Sequence, residues 1–123
     1  MSNVRSSPTP TEIRVDRAAK QLEVSFDDGA HFILPAEYLR VQSPSAEVQG
    51  HSPAERRTVA GRRHVGIRAV EPVGNYAIRI LFDDMHDTGI YSWEYLHALG
   101  REQGNRWRAY LDELASKGLS REP

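Results

Sequence analysis

Fifteen residues from Phe82 to Leu96, Phe82-Asp83-Asp84-Met85-His86-Asp87-Thr88-Gly89-Ile90-Tyr91-Ser92-Trp93-Glu94-Tyr95-Leu96, carry most of the side chains here that could do chemistry. The His86 imidazole is suited to general-base work, to metal ligation or to sensing pH. Asp83, Asp84 and Asp87 supply oxygens for a hard cation, and Tyr91 with Trp93 could form a stacking platform. Each feature has a plainer account. A histidine here can cap the turn by bonding to Asp84 or Asp87. The aspartates fall short of a calcium loop in length and carboxylate count, so turn chemistry explains them. Aromatic residues at a helix start usually pack into a core. For a divalent ion, the weak set is His86, Asp84, Asp87 and His51; His31, His64 and His97 lack ligand spacing and read as surface residues.

A second cluster is basic. Arg56, Arg57, Arg62, Arg63 and Arg68 lie in or just beyond the second half of a Ser/Pro/Gly-punctuated stretch, 41–63. They could meet phosphate or an acidic protein surface; a solvated loop is the simpler account. Familiar catalytic and nucleotide motifs are missing: there is no phosphate-binding P-loop, dinucleotide glycine pattern, nucleophile-elbow serine or paired-histidine zinc helix.

Composition narrows the class. At 123 residues, 39% hydrophobic, the chain is long enough for one self-sufficient core. It has no cysteine, which rules out disulfides, thiolate-held iron–sulfur clusters, thiol nucleophiles and thiolate zinc fingers. A net charge of −1, from 16 basic and 17 acidic residues, gives no reason to expect nucleic acid or an anionic membrane as partner. No apolar run approaches the ~18–20 residues of a membrane span, and Met1 to Thr11 lacks a secretory apolar region. A cytoplasmic location is the expectation.

These side chains need elements to position them. Residues 1–11 are polar and proline-rich and read as a disordered tail; 12–118 read as one domain, and 119–123 as a second tail. Ile13 and Val15 alternate with Arg14 and Asp16, as in a strand. Leu22-Glu23-Val24-Ser25-Phe26, Asp27-Asp28-Gly29 and His31 to Leu34 read as a hairpin around an Asp-Gly turn. Pro35 opens a helical turn to Leu39. The 41–63 stretch shows no periodicity and reads as a long loop. His64 to Val70, Tyr76 to Phe82 and Gly89 to Tyr91 read as strands. Ser92 caps a helix that Gly100 can end. Asn105 caps another, whose Trp107, Tyr110, Leu111 and Leu114 form one apolar stripe. The expected fold is α+β: a mainly antiparallel sheet of five or six strands, with one or two C-terminal helices on one face.

An internal echo runs through this pattern. Leu22-x-Val24-x-Phe26-Asp27-Asp28-Gly29, then Glu37-Tyr38-Leu39, parallels Ile78-x-Ile80-x-Phe82-Asp83-Asp84-Met85, then Glu94-Tyr95-Leu96. The second copy is one residue longer and adds His86, Tyr91 and Trp93.

Leu39-Arg40 before the Ser-Pro-rich loop, Glu71-Pro72-Val73-Gly74-Asn75-Tyr76, and His86 through Leu96 together resemble the gamma-butyrobetaine hydroxylase-like N-terminal domain family. The resemblance covers roughly Thr11 to Gly100, and the family includes small stand-alone bacterial proteins of unknown function. It implies a module also found in gamma-butyrobetaine and trimethyllysine hydroxylases and fused to some iron–sulfur P-loop ATPases. In the hydroxylases it holds a structural zinc through three cysteines and a histidine. Those positions fall here on Ser43, Ser45, Val48 and His86. Hydroxyls and an isopropyl group cannot replace thiolates, so no zinc or other cofactor is expected. Nor does the hydroxylases' oxygenase chemistry carry over, because it belongs to a separate larger domain.

The reading that emerges is a non-catalytic binding or adaptor module for a protein partner, by resemblance a metabolic or iron–sulfur-related enzyme. Its expected interaction surface is His86, Tyr91, Trp93, Arg56, Arg57, Arg62 and Arg63. The alternative is a metal-handling protein that binds a divalent ion weakly through His86 and neighbouring carboxylates. A homodimer is possible for any small sheet with an open face or edge.

Overall fold

The computed structural model describes residues 8–50, 54 and 56–123. Residues 1–7, most of the expected N-terminal tail, lie outside the described residues, as does His51.

Two three-stranded antiparallel meanders, each followed by a helix, form the body. The first is β1 (Pro10–Asp16), β2 (Gln21–Phe26), β3 (His31–Pro35) and α1 (Ala36–Val41). After α2 (Ala46–Gln49), the second is β4 (Ile67–Val73), β5 (Ala77–Phe82), β6 (Gly89–Ser92) and α3 (Trp93–Arg101); α4 (Gln103–Ser116) follows. Strand order is β1-β2-β3 in one sheet and β4-β5-β6 in the other. The central strands form where the apolar alternation is cleanest. Leu22, Val24 and Phe26 on β2 are buried, as are Ile80 and Phe82 on β5.

The sequence echo is a structural repeat. Leu22 pairs with Leu34 and Val24 with Phe32 in the first unit; Ile78 pairs with Tyr91 and Ile80 with Gly89 in the second. Both first strands carry a register shift, after Pro10 and after Ile67. The turns match atom for atom. Asp27 N donates to Thr9 O (2.9 Å) and Asp83 N to Gly66 O (3.0 Å). In return Thr9 N reaches Asp27 Oδ1 (3.1 Å) and Gly66 N reaches Asp83 Oδ1 (2.9 Å). Each turn needs a residue at positive φ: Gly29 (88°) in the first, Met85 (74°) in the second. Met85 accepts a steric cost that glycine avoids, on the order of 1–2 kcal/mol.

The α+β class holds, but the single sheet of five or six strands does not. Six strands form two separate sheets. Where β1 and β4 approach, side chains reach backbone instead of a ladder forming: Arg17 Nε donates to Arg68 O (3.0 Å) and Lys20 Nζ to His64 O (2.9 Å). Alternation within each strand is blind to that boundary.

One apolar core spans both units, taking in Leu22, Val24, Leu34 and Leu39 with Ile78, Ile80, Phe82 and Leu96. Helix α3 meets β6 of its own unit and β3 of the other. Gly100 lies inside α3 and does not end it; a Cβ there would come 2.3 Å from the Phe32 ring. Glycine is there for close approach, not as a stop. Helix α4 starts at Gln103, ahead of Asn105, and its N-cap Glu102 makes no side-chain cap bond. The missing cap costs ~1 kcal/mol. Burial of Tyr110 and Leu114 against Val41, at about 1.5–3 kcal/mol per large side chain, outweighs it. Leu111, expected in the apolar stripe, is 38% exposed.

The 41–63 segment is not uniformly loop. Ser45 caps α2 by accepting from Glu47 N (3.1 Å), and Arg57 N returns to Val48 O (2.7 Å). A four-residue helix is too short to show a period. Residues 119–123 are no free tail either. Gly61 N and Arg63 N donate to Ser120 O (2.9 Å) and Arg121 O (3.0 Å), and Arg121 grips Glu37 with two bonds of 2.8 and 2.7 Å. Polarity in a short terminal segment suggests freedom; here backbone pairing and a bidentate ion pair hold it.

Candidate functional site

The second repeat departs from the first at one place, and a polar cluster fills the difference. Where the first unit has Phe32 packed on Gly100, the second has Gly89 facing Ser43; a Cβ at Gly89 would lie 2.7 Å from Ser43 Oγ. A ring on the strand with glycine on the helix becomes glycine on the strand with serine after the helix. The freed volume admits His86, which stands where the first unit has Ala30. Phe26 N donates to Ala30 O (2.8 Å), and Phe82 N to His86 O (3.0 Å). The added residue falls in this same turn, where Thr88 Oγ1 bonds Ser45 Oγ (2.7 Å).

His86 is buried, and both ring nitrogens are engaged. Nδ1 lies 3.0 Å from Glu47 Oε1 and Nε2 lies 2.9 Å from Ser43 Oγ. A carboxylate can only accept, so Nδ1 carries the proton and the Ser43 hydroxyl donates to bare Nε2. Ser43 Oγ in turn accepts from Ser45 N (3.2 Å). Burial, joined by the nearby Arg40 charge, lowers the His86 pKa below the ordinary histidine value, against the pull of Glu47. The imidazole is held neutral.

Beside it, Asp84 Oδ2 accepts from Arg40 Nε (2.8 Å), and Asp84 Oδ1 accepts from His86 N (3.2 Å). Arg62 Nε also comes within 2.8 Å of Asp84 Oδ2, but off the line a hydrogen bond needs. Burial works to raise the Asp84 pKa; the Arg40 hydrogen bond, the His86 N–H and the two guanidinium charges outweigh it, leaving it lowered. This pair also has a counterpart, since His97 Nε2 meets Asp28 Oδ2 at 2.9 Å in the first turn. His97 packs against Phe26, with ring centroids 4.8 Å apart, and is not the surface residue that its spacing suggests.

The expected interaction surface is therefore divided. Tyr91 is fully buried, its hydroxyl donating to Leu39 O (2.6 Å), and His86 is 5% exposed; neither can meet a partner. Tyr91 points inward because β6 alternates and its Gly89/Tyr91 face lies on the core, and His86, in the turn before β6, is drawn in by Ser43 and Glu47. Trp93 is half-buried, with its indole N–H on Asn75 O (2.8 Å). Arg56, Arg57 and Arg63 are exposed and Arg62 half-buried. Of the weak metal set, Asp84 is held by Arg40, and His86 is turned to Ser43 and Glu47. Among the described residues, no three His, Cys, Asp or Glu side chains converge on one ion position. Glu47 and Arg40 escape sequence reasoning as site residues, because their partners lie roughly forty positions along the chain. No helix among the described residues is long and apolar enough to cross a membrane.

Paired βββα units that share one core, with a buried histidine cluster in the second, define a small α+β module. The chain belongs to the gamma-butyrobetaine hydroxylase-like N-terminal family, whose model matches residues 13–97. It is similar to two proteins solved by NMR in solution. One is 44% identical over 96% of this chain and 93% of that one; the other is 46% identical over 100% and 92%; both have a TM-score of 0.83. A third similar structure is a crystal structure of a protein of unknown function in the DUF971 family from Acidithiobacillus ferrooxidans. It is 39% identical over 75% of this chain and 92% of that one, with a TM-score of 0.63. No significant match to a curated protein is found.

The four positions that the family resemblance assigns to zinc do converge. Ser43 bonds His86, Ser45 bonds Ser43, and Val48 lines the same cleft as His86. Their donors do not suit the ion. Two neutral hydroxyls, an isopropyl group and one imidazole lack the thiolates of a tetrahedral structural site. Hydrogen bonds already use the Ser43 hydroxyl and both nitrogens of the imidazole.

Proposed function

We propose that this chain is a non-catalytic docking module that works without a resident metal. The observation that carries this reading is an open groove of about 770 Å³ between the end of α1 and α4. Val41, Tyr95 and Tyr110 give it an apolar floor, while Arg56, Arg106 and Lys117 outnumber Glu113 among its charged residues. Such a surface suits an acidic segment of a protein partner with an apolar anchor. Support also comes from the cluster at His86. Ser43, His86 and Glu47 stand in the order of a nucleophile, base and orienting carboxylate. Ser43 is 0% exposed, however, so its hydroxyl is closed off from a substrate and the bonds serve to tie elements together. Family resemblance favours a metabolic or iron–sulfur-related enzyme as the partner.

The test places a photo-crosslinking residue at exposed Ala109, on the groove wall, in cells that make the full chain. A discrete partner should crosslink from Ala109 and be lost when Arg106→Glu reverses the local charge. Equal crosslinking from Arg14, on β1, would remove the groove from consideration.

A further inference from the structure

A smaller cleft lies beside the histidine cluster, about 260 Å³ in volume, lined by Arg40, Arg57, Arg62, Thr58, Glu47 and His86. We propose that it binds a small oxyanion of the phosphate class, free or as the terminal group of a monoester.

Charge is the first reason. Arg40 and Arg62 both lean on the single Asp84 Oδ2, so two guanidinium groups share one carboxylate. Arg57 adds a third cation at the mouth. Against these stand Asp84 and Glu47, and Glu47 already accepts from His86 Nδ1. His86, held neutral, adds no charge. The cleft is left with a net positive charge.

Unused hydrogen-bonding capacity is the second reason. The Arg40 side chain is only 9% exposed, and its Nη1 has no hydrogen-bond partner among the described residues. A buried guanidinium donor without an acceptor is costly, and an anion is the acceptor it matches best. Arg62 Nε is buried against Asp84 and its Nη1 is taken by the Ala60 and Gly61 carbonyls, which leaves Nη2 as the donor it can turn to an incoming oxygen. Size then limits the ligand. Drug-sized ligands occupy pockets from roughly 300 Å³ upward, so this cleft suits one phosphoryl group and excludes a whole nucleotide.

The inference is independent of the groove, which lies along α4. It is tested by titrating the full-length, isotope-labelled protein at constant ionic strength with inorganic phosphate, glycerol phosphate, acetate and chloride, following backbone amides and arginine Nε–H signals. Saturable shifts are expected at Val48, residues 57–62 and Arg40 with phosphate, with the monoester, or with both; whichever saturates more tightly identifies the source. Arg57→Gln, at an exposed position, should weaken binding about tenfold while the remaining spectrum stays folded. The proposal is overturned if neither phosphate saturates, if acetate or chloride acts equally well, or if Arg57→Gln and Arg62→Gln leave the affinity unchanged.

Discussion

Tyr38 and Tyr95 occupy the same place in the two repeats and exchange equivalent hydrogen bonds. The Tyr38 hydroxyl donates to Leu99 O (2.7 Å) at the end of α3, and the Tyr95 hydroxyl donates to Gln42 O (2.5 Å) at the end of α1. Each helix thus closes off a carbonyl of the other. The Arg40–Asp84 and His97–Asp28 pairs repeat this exchange two residues further on, from helix to opposite hairpin. Two units that reach across in this way behave as one folding body.

Removing either hydroxyl should show the reciprocity. Tyr38→Phe leaves the Leu99 carbonyl unpaired in a wholly buried setting, and about 1–3 kcal/mol should be lost in urea unfolding. Tyr95 is only part-buried, so Tyr95→Phe should cost less, because water can reach the Gln42 carbonyl. An equal or reversed order would mean that the hydroxyls do not hold the helices.

The two glycines of the exchanged packing pair should respond differently to alanine. Gly100→Ala drives a Cβ to 2.3 Å from the Phe32 ring and should destabilise by roughly 1–3 kcal/mol or more. Phe32→Ala added to it should recover part of that loss, a coupling that a double-mutant cycle measures. Gly89→Ala meets a small hydroxyl at 2.7 Å, and its main effect should be on the His86 environment, read from the imidazole NMR signals.

Stability should fall with acidity in two stages. The His86 pKa is lowered by folding, so below about pH 6.5 the unfolded chain takes up a proton that the folded chain resists. Stability from this source is complete above that value and is lost as pH falls through the folded pKa. Asp84 is also lowered, from 3.8, and its contribution disappears only at more acidic pH. Urea midpoints measured across the range should show the upper stage vanish in His86→Gln. An unchanged upper stage would assign it elsewhere.

Thiolates should turn the cluster into a metal site. Ser43→Cys, Ser45→Cys and Val48→Cys together should give one bound zinc per chain by elemental analysis and a higher melting temperature, both lost on adding His86→Ala. Stoichiometric zinc in the unmodified protein would overturn the metal-free reading. Failure of the triple variant to bind would show that the four positions do not meet at tetrahedral distances.

The sequence by itself determined the α+β class, the order of the strands and of every helix but α2, the family and the two acidic hairpins. These follow from local rules: Leu22, Val24 and Phe26 alternate, turns carry aspartate and glycine, and Ser92 caps α3 through Tyr95 N. It also showed that no thiolate is available, because ligand identity is a property of residue type. Tertiary structure alone decided that the strands divide into two sheets, since pairing between strand edges leaves no mark on alternation. Only in three dimensions do Gly89 and Gly100 exchange roles, does Arg121 return to Glu37, and do His86 and Tyr91 turn inward. Ser43, Glu47 and His86 meet for the same reason: the repeat brings the end of one helix against the hairpin of the other unit, at a chain separation that no local pattern spans.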